Sequence, residues 1–169
     1  MSLILRIARA LALGLRTSKA PTGFTSLSKV HVAVVFIDAD ESGSEKLVGE
    51  MAAYFAEKKI RVEIFALTAD RKHPEIKGAH IMGPRNLTLI GRPRHNKRTP
   101  IVELGEELFL NLAPEGAFTA EYCAARSKAL FKVGRASGPK NIYNLFVSSE
   151  GHSAADVFAQ ISGVLDTVK

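Results

Sequence analysis

Apolar residues in this chain follow two rhythms: short unbroken runs bounded by turn residues, and longer stretches recurring every third or fourth position. Both meet in residues 108–134, LFLNLAPEGAFTAEYCAARSKALFKVG. The run Leu108 to Leu112 has the length of a buried strand, and Pro114-Glu115-Gly116 stops it before a helical period begins. That period puts Tyr122, Ala125 and Ala129 on one face with Cys123 beside them, and turns Glu121, Arg126 and Lys128 to water. Thr119 is the predicted N-cap. Leu130-Phe131-Lys132-Val133 follows almost without a linker and Gly134 ends it, so the segment reads as a strand–helix–strand crossover of the parallel kind.

The rest of the chain extends the alternation. Residues 30–37, VHVAVVFI, are nearly all apolar and β-branched, as in a central strand covered on both faces. A turn through Asp38-Ala39-Asp40-Glu41 leads to a helix with Ser42 and Glu45 spaced as a capping box, and Leu47, Val48, Met51, Ala52 and Phe55 form its inward stripe. Residues 60–67 predict a second strand. His80-Ile81-Met82 and Leu87-Thr88-Leu89-Ile90 predict short or edge strands, Thr99 with Pro100 starts a short helix to about Glu106, and Tyr143 to Val147 predicts a further strand. Ser153 caps a last helix whose Val157, Phe158, Ile161, Val164, Leu165 and Val168 share a face. The expected fold is α/β: a single three-layer open sandwich with a mostly parallel sheet, Rossmann- or flavodoxin-like, over residues 30–169.

Charge sets the first 29 residues apart. They hold Arg6, Arg9, Arg16, Lys19 and Lys29 and no acid, leaving 18 basic and 17 acidic residues in 30–169, so most of the net +6 sits in the tail. A second acid-free run, 82–98, carries Arg85, Arg92, Arg94, Lys97 and Arg98. The two runs are candidate surfaces for an anionic partner. MSLILRIARALALGL is an amphipathic basic helix, too short in its uncharged part to span a bilayer, and Arg6 and Arg9 interrupt any secretory apolar core. A helix packed on its own domain or on a partner, an interfacial membrane helix and an organelle transit peptide all fit it.

Candidate chemistry is sparse. Ligands of open α/β sheets sit beyond the carboxyl ends of the strands, which points to Asp38, Asp40 and Asn111 as a ligand pocket. VVFIDADES followed by Thr68 is similar to the way haloacid-dehalogenase-type phosphatases present a nucleophile and an acid beside Mg²⁺, but no late strand carries the paired acids such a site needs. No G-x-G-x-x-G follows the first strand and no G-x-x-x-x-G-K-[ST] occurs. The five histidines lack metal-ligand spacing and the lone Cys123 reads as a small buried hydrophobe, so no catalytic residue, metal or cofactor is expected.

Ile37-Asp38, the Leu89-Ile90-Gly91-Arg92-Pro93 piece, Asn111-Leu112 and the ending of 124–134, "Ala-x-x-Ser-Lys-Ala-x-Phe-Lys-Val-Gly", together resemble an uncharacterised family of short cytoplasmic α/β proteins of the Bacteroidota. The resemblance covers about two thirds of the chain and implies fold and bacterial origin, with no assigned activity. More distantly, the strand, Asn-Leu, helix and strand order is similar to the acceptor half of heptosyltransferase-like glycosyltransferases. The expected protein is a cytoplasmic, non-catalytic adaptor held to a protein complex or an anionic membrane surface by its basic N-terminus. The alternatives are a small Asp-dependent phosphatase-like enzyme, a degenerate glycosyltransferase half, or an RNA- or ribosome-associated protein.

Overall fold

A computed structural model describes residues 3–14, 23–94, 105–135, 142–147 and 151–168. Among these residues six strands form one sheet, all parallel: β1 (Val32–Asp38), β2 (Arg61–Leu67), β3 (His80–Met82), β4 (Leu108–Asn111), β5 (Phe131–Gly134) and β6 (Leu145–Phe146), in the order β3-β2-β1-β4-β5-β6. That order is the dinucleotide-fold one of the two expected types, with the direction of winding reversing between β1 and β4. The helices α1 (Leu3–Gly14), α2 (Ser44–Glu57), α3 (Phe118–Arg126) and α4 (Ala154–Thr167) complete the three layers.

The alternation of side chains along β1 explains the layering. Ala33, Val35 and Ile37 point into a core shared with Leu47, Met51 and Phe55 of α2 and Val157, Phe158 and Ile161 of α4. Val34 and Phe36 point the other way, into a core with Phe109, α3 and Ala12 of α1. There Phe36 stacks on Phe65 of β2 and Phe109 of β4, with ring centroids 5.2 and 5.5 Å apart. Because β1 is buried on both faces, its sequence shows an unbroken apolar run.

Several local expectations give way to other solutions. Helix α2 starts after Gly43, held at φ 84, and Ser44 donates its hydroxyl to Ala39 O (3.0 Å); the Ser42/Glu45 capping box is not what starts it. Ala52 faces solvent. Thr119 lies inside α3, because the turn at Pro114 to Gly116, with Gly116 at φ 79, begins the helix two residues earlier than expected, at Phe118 with Ala117 as its N-cap. Its hydroxyl donates to Gly91 O (2.8 Å) instead. Leu87 to Ile90 is a tight turn, closed by Gly91 N–H to Thr88 O (2.9 Å) and an antiparallel bridge between Leu87 and Pro93. The strand at the far edge shrinks to Leu145–Phe146, since Tyr143 lays its ring against Gly134; a Cβ there would come within 2.8 Å of it. The helix expected from Thr99 falls largely outside the described residues. Ser153 caps α4 as expected, in a capping box with Asp156.

Candidate functional site

Where the winding reverses, β1 leads to α2 on one face and β4 to α3 on the other, which opens a crevice beyond their carboxyl ends. Asp38 accepts the Asp40 N–H (2.9 Å), forming the turn. Asp40 accepts the Thr68 hydroxyl (2.8 Å) and the Ala69 N–H (3.1 Å), with His73 Nε2 3.7 Å away. Asn111 accepts the Ala113 N–H (3.1 Å) and donates to the Tyr143 hydroxyl (2.7 Å). Asp40 is thus tied to the end of β2 and Asn111 to Tyr143.

Among the described residues, Glu41 and Arg135, 94 residues apart, join across the crevice. The Glu41 carboxylate accepts from Arg135 Nη1 and from the Ala154 N–H (2.7 Å) in the first turn of α4. Arg135, buried, also donates to Leu112 O (3.2 Å) and His152 O (2.8 Å). An arginine after a strand-ending glycine and a glutamate beside an Asp-rich turn carry no sequence signal that joins them. Among the described residues, no three His, Cys, Asp or Glu side chains come together as metal ligands. Burial pushes the Cys123 thiol far above its ordinary range, which leaves it inert as a nucleophile.

The basic runs do meet. Helix α1 lies on α3, with Ala12 buried between them. Arg9 is turned inward: Nε donates to Ile90 O (3.0 Å) and its guanidinium lies 4.9 Å from the Phe118 ring centroid. Arg6 is exposed, as are Arg85 and Arg94; Arg92 is half-buried, 5.6 Å from the Tyr122 ring centroid. Arg16, Lys97 and Arg98 lie outside the described residues. On the outer side of α1, Leu3, Ile4, Ile7 and Leu11 are 70, 81, 52 and 57% exposed. Leu89, in the neighbouring turn, is 97% exposed.

The 124–134 motif is a fastening. Lys132, buried, donates from Nζ to Ala124 O (2.9 Å) and Ser127 O (2.6 Å), satisfying carbonyls at the end of α3. Ser127 donates to Glu106 and accepts the Ala129 N–H (3.1 Å), and Gly134 makes room for Tyr143. The model of a family of unknown function, DUF6913, matches residues 9–166, from α1 through α4. The protein belongs to this family. All six strands and the whole 124–134 fastening fall within the DUF6913 match. No curated protein and no solved structure matches the chain.

Proposed function

We propose that the protein is a non-catalytic binding module that docks on an anionic membrane surface through the outer face of α1. The observation that carries this reading is that α1 is apolar on two opposite faces. One, with Leu5, Ala8, Ala12 and Leu13, turns towards its own domain; the other, Leu3, Ile4, Ile7 and Leu11, remains in water. A helix of this kind needs two apolar neighbours. Each aliphatic side chain that a second neighbour buried completely would contribute about 1.5–3 kcal/mol.

The charge around the stripe favours a bilayer interface. Arg6 flanks it, Arg85 and Arg94 are exposed on the adjoining loop, and residues 1–37 and 82–94 hold no acid. Each such arginine near anionic headgroups adds about 1 kcal/mol. Nucleic acid would meet the arginines and leave the aliphatic stripe wet. No described helix is long and apolar enough to cross a membrane, and the 12 residues of α1 measure only about 18 Å, so the helix would lie in the interface plane. The crevice between β1 and β4 supports the non-catalytic half of the reading, since the Glu41–Arg135 pair bridges it.

The test is co-sedimentation of the purified full chain with phosphatidylcholine vesicles, with and without phosphatidylserine. Binding should require phosphatidylserine, weaken as salt rises and vanish in Ile4→Asp/Ile7→Asp while far-ultraviolet circular dichroism stays unchanged. Wild-type protein left in the supernatant with both vesicle types, or a double variant that binds as well, would overturn the reading.

A further inference from the structure

The turn at residues 88–91 carries a feature that neither α1 nor the fold accounts for. Turn tips ordinarily hold Gly, Asn, Asp or Pro, whereas this one holds Leu89-Ile90. Ile90 folds back against the α3-side core, and Leu89 stands 97% exposed.

The backbone beneath Leu89 is extensively bonded. Thr88 N–H donates to Arg92 O (2.7 Å), the Thr88 hydroxyl accepts the Arg92 N–H (3.0 Å), and Arg94 Nε donates to Leu87 O (2.8 Å). Gly91, at φ 90, lies so close to α3 that a Cβ would come within 3.1 Å of the Phe118 ring. Thr119 of α3 bonds Gly91 O and Arg9 of α1 bonds Ile90 O, so the turn is fastened to both helices. A polar residue would serve the turn as well as leucine does. The leucine side chain is therefore available to a partner outside the fold.

We infer that Leu89 is a second insertion point into the same anionic bilayer. It rests on the membrane reading of α1 and deepens it. Arg9 and Thr119 fasten the turn to α1 and α3, so the protein meets the surface at two places, with its α3 side down, while Arg85 and Arg94 meet phosphate groups beside Leu89. The attachment then fixes the orientation of the whole domain, which a single helix free to roll about its axis would not.

The test uses the full chain with Leu89→Cys labelled with the environment-sensitive fluorophore NBD; the buried Cys123 is checked by labelling wild type in parallel. With phosphatidylserine-containing vesicles, the probe emission should shift to the blue and be quenched by lipids brominated along the acyl chain. Leu89→Ser should weaken vesicle binding by about 10- to 100-fold with an unchanged melting temperature. Wild type that binds vesicles while the probe stays in water and Leu89→Ser binds normally would overturn this inference and leave the α1 reading standing. Wild type that fails to bind would overturn both. A blue shift without vesicles, together with a dimer by light scattering, would overturn both in favour of a second copy of the chain covering this face.

Discussion

Lys132 shows how far a residue's role can lie from its appearance in sequence. Within the predicted strand Leu-Phe-Lys-Val nothing marks it out, yet it is buried and its ammonium donates to Ala124 and Ser127 carbonyls. Burial lowers its pKa, with Glu106 nearby acting in the opposite direction. Lys132→Met keeps most of the packing and strips both carbonyls of their donor, so it should cost about 1–3 kcal/mol in urea unfolding. An unchanged midpoint would mean that water replaces the ammonium. Contact with a helix end eight residues back depends on tertiary geometry, and no periodicity reports it. Leu89 was illegible for a related reason: Leu-Thr-Leu-Ile has strand composition, but Gly91 at positive φ and Pro93 bend it into a turn. By contrast, Asp38 reads correctly as a turn former, because its partner is two residues away.

Elements were legible where burial imposes a pattern. Strand β1, buried on both faces, and α4, with its Ser153 cap and the Val157, Phe158, Ile161 and Leu165 of its inward stripe, follow from residue type alone, whereas Val164, expected on that stripe, is exposed and Val168 lies past the helix end. Their pairing across long separations does not. Glu107, just before β4, shows one such contact: its carboxylate accepts the His31 and Val32 N–H groups (3.1 and 2.9 Å) at the start of β1. Burial by itself would raise its pKa, but these backbone bonds and His31 outweigh it and hold the carboxyl below its ordinary 4.5. A depressed carboxylate pKa stabilises the fold above the unfolded value, and that stabilisation is lost as pH falls through the folded one. Wild type should therefore exceed Glu107→Gln in stability at neutral pH, with the gap closing below about pH 4.5. Urea midpoints measured across that range check it, and a gap that persists in acid would refute it.

For the molecule as a whole, the Glu41–Arg135 pair joins the loop after β1, the end of β5 and the start of α4. Glu41→Gln should destabilise the protein by about 1.5–3 kcal/mol, the range for a hydrogen bond to a charged group. Adding Arg135→Met should recover part of that loss by removing the buried charge left behind. A double-mutant cycle in urea measures the coupling, and simple additivity would show the pair to be independent. Six of the seven expected strands form the sheet, Leu87 to Ile90 being the exception, but their order was not legible, since nothing local marks β4 as the second neighbour of β1. That order also governs the chain's birth on the ribosome. Glu107, beside β4, is 75 residues beyond the Val32 it bonds, an interval of about 4–15 s at ordinary synthesis rates. Through it β1 can pair with β2, while its other edge and its α3-side face await β4 and α3. The nascent chain thus carries an open, apolar strand edge of the kind chaperones shield.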